Sequence, residues 1–393
     1  MRRIALYMQF SDFFEHGIAR GIVRYAKAKP DWRLYGYGWM FRALSDIGSW
    51  DGDGIIARVE DASTADRLAC IGLPIVDVAG AYIRPNFVSV TNDDLLTGHK
   101  AALHLIGCGF RRFAFLGASG THWSDERRSG FFRAIEERTR PGAKWPCFER
   151  SLAWWEVGEE DTEDRVRKGT GLAKFLSSLQ APTALFACND TAGLRAAELA
   201  GRLGIAVPES LAILGVDNED ILCELASPSL SSVMLNCEAI GYQAASSLDA
   251  ILERSGAAAR RGSLPRPVKI EPNEVVERES TRVFACEDEL VARATTYIRV
   301  HAQEGIDVSD VLAIVSASRR SLETRFRKAL GRSPHEEILR AKLSRAKRLL
   351  RETSNTLDRV AEESGFGSLQ RFHSAFKAAE NVSPGEWRSG YRS

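Results

Sequence analysis

The sequence predicts two α/β lobes with parallel sheets, followed by a small all-α domain that carries two helix-turn-helix units. Three observations lead there. Over the first 280 residues short apolar runs alternate with amphipathic stretches, the pattern of parallel α/β units. That alternation restarts after FRRFAFLG at 110–117. From Thr281 onward the strand pattern stops and two similar helical segments follow one another.

In chain order, Arg3–Tyr7 reads as a buried strand. A loop over 9–14 follows, then a helix over 15–27 with Ile18, Ile22, Val23 and Ala26 inward. Trp32–Tyr35, Gly54–Ala57, Ile75–Val78 and Phe87–Val90 are further strands. Leu95–Gly107 is a helix stopped by Gly107-Cys108-Gly109, and Phe113–Leu116 is a strand. In the second lobe a helix covers 124–138, Leu185–Cys188 is a strand and 191–203 a helix. LAILGVDN is a strand ending at Asp217-Asn218, Leu230–Val233 a short strand, and 238–252 a helix. The run 253–267, rich in Gly, Arg, Ser and Pro, is a loop. Val268–Glu277 returns to extended chain, and a boundary near Thr281 separates domains over 1–280 and 281–393.

The C-terminal segment is the most informative. In 355–388 Leu357, Val360 and Ala361 share one helix face, Gly365 occupies a sharp turn, and Ser368 is an N-cap. Leu369, Phe372 and Phe376 point inward, which leaves Ser368, Gln370, Arg371, Ser374 and Lys377 to reach base edges and phosphates. Val382, Pro384 and Trp387 close the small core. An ordinary amphipathic helix pair would look similar, but a second copy lies upstream at 307–334. There Val308, Val311, Leu312 and Val315 form the first stripe, Ser318 caps, and Leu322 and Phe326 point inward. Arg319, Arg320, Thr324, Arg327 and Lys328 remain outside, and Gly331 stops the helix. Between the copies 334–352 is one helix, with Ile338, Leu339, Leu343, Ala346, Leu349 and Leu350 at helical spacing. At ~1.5 Å rise per residue it spans on the order of 25 Å, enough to set two recognition helices about one DNA turn apart.

Charge agrees. The net charge of +1 conceals 20 Lys+Arg against 15 Asp+Glu from Thr281 onward, and 33 against 37 before it. A basic tail on a mildly acidic remainder fits nucleic-acid binding at one end. The seven cysteines are scattered and odd in number, without CxxC, which points to reduced thiols in a cytoplasmic protein. Neither a secretory signal nor a membrane span is apparent.

Candidates for a ligand crevice sit at strand ends, where open α/β sheets present their sites. They are Asp12 and Phe13, Asn92 and Asp93, Trp123 and Arg127, Asn189 and Asp190, and Asp217 and Asn218. Carboxylates and amides bond vicinal hydroxyls and an aromatic face covers C–H groups, so the set suits a small polyhydroxylated ligand. Asp190 and Ser124 also suit helix caps. Trp154-Trp155 reads as packing or a partner patch, and His99 and His104 as structural, since no metal spacing occurs. With no GxGxxG, Walker loop or GxSxG elbow, nothing points to an enzyme or a cofactor.

Two resemblances follow from these residues. SRRSLETRF, RAKRLL and ESGFGSLQRFHSAFK with VSPGEWR resemble the DNA-binding module of the AraC/XylS family of transcription regulators, over roughly 285–388. The first turn departs from that pattern, with Ser316-Ala317 where a glycine is usual, so an unfavourable φ is expected there. Residues 1 to about 280 are similar to the effector domain of the lactose/galactose repressor family, a periplasmic-binding-protein-like (type I) fold, through DDLLTGHKAALHLIGCGFRRFAFLG, Arg127-x-x-Gly130, Asn189-Asp190 and GVDNED. That resemblance implies sugar contacts from Asp93, Arg127, Asn189 and Asp217. The order of the two parts resembles the xylose-operon regulators (XylR-like proteins). It implies a pentose effector such as xylose, operator DNA, a homodimer, and RNA polymerase if the protein activates.

Overall fold

A computed structural model describes residues 1–36, 47–82, 84, 86–139, 143–152, 171–253, 266–283, 285 and 288–392. The Trp154-Trp155 pair and most of the 253–267 loop lie outside these residues. The chain divides into two units: Met1–Ile106 with Arg111–Arg282, and Gly107–Phe110 with Val283–Ser393.

The first unit contains two six-stranded sheets. The first is built from β1 (Arg2–Tyr7), β2 (Trp32–Gly36), β3 (Gly54–Ala57), β4 (Ile75–Asp77), β5 (Phe87–Asn92) and β11 (Val268–Ile270), in the order β11-β5-β4-β3-β1-β2, with all pairs parallel. The second comprises β6 (Phe113–Ala118), β7 (Cys147–Leu152), β8 (Thr183–Ala187), β9 (Leu211–Val216), β10 (Ser231–Val233) and β12 (Val275–Val276), in the order β12-β10-β9-β8-β6-β7. Only β12 runs antiparallel. Central strands such as LAILGV and GIIA are buried at every residue, as sheets covered on both faces require.

The lobes are not simply successive, which corrects the sequence reading. The chain passes from the first sheet to the second after β5, returns after β10, and crosses once more between β11 and β12. The stretch read as one extended segment, 268–277, is therefore two short strands in different sheets. Pairing of Val268 with Val90, 178 positions apart, leaves no local signature in the sequence. The structure also adds β7 and the helix α2 (Ala62–Cys70) to the elements expected from the sequence.

Each lobe has one close helix pair. In the first, α1 (Phe13–Lys27) meets the helix Cys237–Glu253; a Cβ at Gly21 would lie 2.0 Å from the Glu238 carbonyl oxygen, and one at Gly241 1.9 Å from that of Ile18. In the second, α3 (Asp94–Gly107) meets α4 (His122–Arg138), where a Cβ at Gly130 would lie 1.9 Å from the Leu95 carbonyl oxygen. Glycine is what lets these backbones touch. Because α1 turns its glycine side to its partner, its buried face is Gly17, Ile18, Gly21, Ile22 and Tyr25, and Val23, expected inside, is exposed. Ser124 is not a cap either, since α4 begins two residues earlier. Its buried Oγ accepts from the Ala118 N–H.

The second unit is helical. After α5 (Gly171–Ser178), α6 (Asp190–Arg202), α7 (Asp220–Leu225) and α8 (the Cys237–Glu253 helix), it adds α9 (Glu289–His301), α10 (Val308–Val315), α11 (Arg319–Leu330), α12 (Pro334–Glu352), α13 (Leu357–Glu363), α14 (Leu369–Glu380) and α15 (Pro384–Arg392). Two separate cores form. One gathers Val291, Ile298, Val311, Leu322, Phe326 and Ile338; the other Leu343, Ala346, Leu350, Val360, Phe372 and Phe376. Ile338 and Leu343 are both on α12, so this helix is shared by the two cores. Trp387 and Pro384 pack as expected, but Asn381 takes a left-handed conformation (φ 61°) that turns Val382 outward to solvent.

Candidate ligand crevice and nucleic-acid interface

Parallel strands in adjacent order deliver their C-terminal ends to one place. β3 lies beside β1 with Tyr7 opposite Ala57, and the Arg58 N–H donates to the Tyr7 carbonyl. Arg58 thereby arrives next to the loop that follows β1. Asp12 caps α1 by accepting from the Glu15 N–H (2.9 Å), and its other oxygen accepts from Arg58 Nη1 (2.5 Å). Arg58 also pairs with Glu60 (3.0 Å) and lies over the Phe14 ring at 5.3 Å. Phe13 instead lies under Arg20 at 5.8 Å. Arg58 and Phe14 were not foreseen; a charged residue directly after the apolar GIIA run was the available signal.

From the other lobe comes Arg127, on α4. Its Nε donates to Asp94 Oδ1 (2.8 Å), its Nη1 to the Cys188 carbonyl (2.5 Å), and its Nη2 stands 3.8 Å from Asp217 Oδ1. The Trp123 ring lies 4.9 Å from the guanidinium carbon, a cation–π contact. Asp217 keeps 26% of its side chain open while Arg127 and Asp94 keep 6% and 8%, so Asp217 is the member of this line that a ligand can reach.

Several expected contacts have other duties. Asp93 accepts from the Leu96 N–H (2.9 Å) at the start of α3, and it is Asp94, one residue on, that faces Arg127. Asn92 is buried and donates to Asp94 Oδ1 (2.8 Å) and Thr97 Oγ1 (2.9 Å); its Oδ1 has no partner among the described residues. Asn189 caps α6 by accepting from the Ala192 N–H (3.0 Å), which displaces Asp190 from that role because the helix begins at Asp190 itself. Asn218 donates through its N–H to Ser232 Oγ (2.9 Å) and through Nδ2 to Asp220 (3.3 Å).

Electrostatics tie the two lobes together. Burial pushes the Asp217 carboxyl up; Arg127 opposes, Asp12 and Asp94 add to the rise, and Arg58 opposes it. Groups of both lobes thus act on one carboxyl. Asp190 is also raised, first by burial and then by the Asp217 charge. Among the described residues no cluster of His, Cys, Asp and Glu is arranged to hold a metal ion, and no helix is long and apolar enough to cross a membrane.

In the helical unit the two helix-turn-helix segments are built alike. Ser318 caps α11 and Ser368 caps α14, each accepting from the third residue on (3.3 Å in both). Each of these helices ends in a left-handed residue, Gly331 (φ 72°) or Asn381. Each is followed by a serine–glutamate cap, Ser333 with Glu336 and Ser383 with Glu386. The residues left facing water are Arg319, Arg320, Thr324, Arg327 and Lys328 in one copy and Ser368, Gln370, Arg371, Ser374 and Lys377 in the other, all exposed. Arg319 pairs with Glu323 (3.3 Å), and the Thr324 hydroxyl donates to the Arg320 carbonyl (2.8 Å). Ser316 does adopt a left-handed backbone, φ 49° and ψ 49°. Lys342 and Arg345 of α12 spend donors on the Ile306 and Glu363 carbonyls (3.2 and 2.6 Å), which lash the helices on either side to α12.

Three family descriptions match successive stretches: a XylR N-terminal domain over residues 3–91, a periplasmic binding protein-like domain over 102–281 and a helix-turn-helix domain over 311–390. The xylose operon regulatory protein of Escherichia coli (strain K12) is 32% identical, with 98% of this chain and 96% of the relative covered. That of Haemophilus influenzae (strain ATCC 51907 / DSM 11121 / KW20 / Rd) is 30% identical with 98% of each covered. The solved structure of the xylose-binding transcription activator xylR covers 99% of this chain and 98% of its own, with a TM-score of 0.61 at 30% identity.

Proposed function

The chain belongs to the family of xylose operon regulatory proteins and is a DNA-binding transcription regulator, not an enzyme, and from that premise we propose that its effector is a neutral pentose, xylose foremost, held between the two lobes. The supporting observation is the line Asp94–Arg127–Asp217, whose open end, Asp217, feels the charges of Asp12 and Arg58 of the opposite lobe. In this reading Asp217 and Asp12 accept from sugar hydroxyls, and Trp123 and Phe14 cover C–H faces. Both guanidinium groups already hold carboxylates, so the crevice favours a neutral sugar over a uronate.

Sugar binding stabilises the closed arrangement of the lobes in proportion to its preference for that state. Closure then shifts the population competent to hold operator DNA. The exposed faces of α11 and α14 read the duplex. The protein works as a homodimer in the cytoplasm, where the DNA lies, and contacts RNA polymerase if it activates. Calorimetry against a panel of pentoses and hexoses tests the effector, because a bound sugar raises stability by mass action. Binding of a hexose but no pentose, or of a uronate added to the panel, overturns it. Salt-dependent affinity for a specific duplex tests the DNA role.

A further inference from the structure

We infer that Asp190 and Ser232 form a buried positioning pair that holds the Asp217 carboxylate on the effector, and so set how well the crevice tells one sugar from another. The inference rests on the reading of Asp217 as an effector contact.

The geometry is closed on all sides. Ser232 and Asp190 are 0% and 1% exposed, so neither reaches a ligand. The Ser232 Oγ donates to Asp190 Oδ1 (2.6 Å) and accepts from the Asn218 N–H (2.9 Å). Asp190 Oδ2 accepts from the Glu219 N–H (2.8 Å) and from the Cys223 thiol (3.5 Å). The two backbone N–H groups that follow Asp217 are therefore both held by this pair.

They have something to hold. Asp217 and Asn218 are consecutive non-glycine residues at φ 104° and 53°, conformations that L residues keep only when the surroundings enforce them. The β9 strand is shaped to admit the pair: a Cβ at Gly215 would stand 2.1 Å from Asp190 Oδ1. Directly before Asn189, the Cys188 carbonyl accepts from Arg127. The segment 188–190, which leads into α6, therefore registers both Arg127 and the Asp217 loop across the 3.8 Å gap between them.

The test uses the full chain and two readouts. D-xylose, L-arabinose and D-lyxose are titrated by calorimetry into the wild type, Ser232→Ala, Asp217→Asn and the double variant. Ser232→Ala is expected to weaken D-xylose binding about tenfold, the worth of one misaligned charged hydrogen bond, and to narrow the preference among the three pentoses. In the Asp217→Asn background the same change is expected to cost less than about twofold, because the pair acts through Asp217. Additive losses, or an unchanged pentose preference, overturn the inference. Hydrogen exchange of the peptide spanning residues 216–220 gives an answer without any sugar. Faster exchange of the Asn218 and Glu219 amides in Ser232→Ala or Asp190→Asn supports the clamp, and unchanged protection overturns it. If the wild type binds no pentose, the effector reading fails while the exchange result still decides the pair.

Discussion

Arg127 and Asp94 are joined through Nε and Oδ1 at 2.8 Å, with at most 8% of either side chain open to water. A buried pair of this kind is weak evidence of net stabilisation, but breaking it is costly, since the surviving charge stays buried. Arg127→Ala is expected to lower the unfolding free energy of the sugar-binding domain by ~3–5 kcal/mol. Adding Asp94→Asn should recover part of the loss. Urea unfolding of the wild type and the two variants checks this, and a double variant no more stable than Arg127→Ala contradicts it.

Asp217 is a better probe of signalling, because it is the open end of the same line. Asp217→Asn is expected to bring the ratio of operator affinities with and without xylose to about one, since a ligand bound equally by both states shifts nothing. Fluorescence anisotropy with a labelled duplex measures the ratio. A wild-type ratio in the variant removes Asp217 from the effector site.

Asp77 ends β4 fully buried, and its carboxylate accepts from the N–H groups of Val59, Ala79 and Gly80 (3.2, 2.9 and 2.8 Å). Burial outweighs those donors and pushes its pKa up to about 6. Between the unfolded value of ~3.9 and that value the folded state binds more protons, so its contribution to stability is full below about pH 4 and falls as pH rises to 6. The loss is at most about 3 kcal/mol. Asp77→Asn should remove this slope, so the stability difference between wild type and variant changes from pH 4 to 7. A constant difference refutes it.

On the DNA side, Arg320→Ala and Arg371→Ala should each weaken operator binding by ~1–3 kcal/mol if the guanidinium reads a base. Competition against a duplex altered at one base pair distinguishes the cases: a base reader loses discrimination there, whereas a phosphate contact loses affinity equally on every sequence and lowers the salt slope by about one.

The two turns respond oppositely to substitution. Ser316 has φ 49°, so Ser316→Gly should stabilise the helical unit by about 1 kcal/mol. Gly365 has φ 77° and its Cβ would stand 2.1 Å from the Ala302 carbonyl oxygen, so Gly365→Ala should cost more than about 2 kcal/mol. Thermal melts of both variants check the signs.

What could be read from sequence was local. Ser318, Ser368, Gly331 and the stripes Leu322–Phe326 and Phe372–Phe376 announce caps and faces within one or two turns, and α12 was bounded correctly by Pro334 and its periodicity. The crevice was legible as strand ends but not as individual partners. Arg58 reaches Asp12 only because β3 lies beside β1, a fact of sheet order. The adjacent pair Asp93-Asp94 contains one cap and one ion-pair partner, and only the helix start distinguishes them. Asp190 reads in the sequence as a ligand or a cap; its bond to Ser232 depends on a strand 42 residues on, and that from the Glu219 N–H on a loop 29 residues on.

Because α12 supplies Ile338 to one core and Leu343, Ala346 and Leu350 to the other, the span between α11 and α14 is set by a rod and not by a tether. A tethered pair would tolerate half-sites at varied spacing. A rod is expected to refuse an operator lengthened by a single base pair, about 3.4 Å along the axis, even when every contacted base is intact.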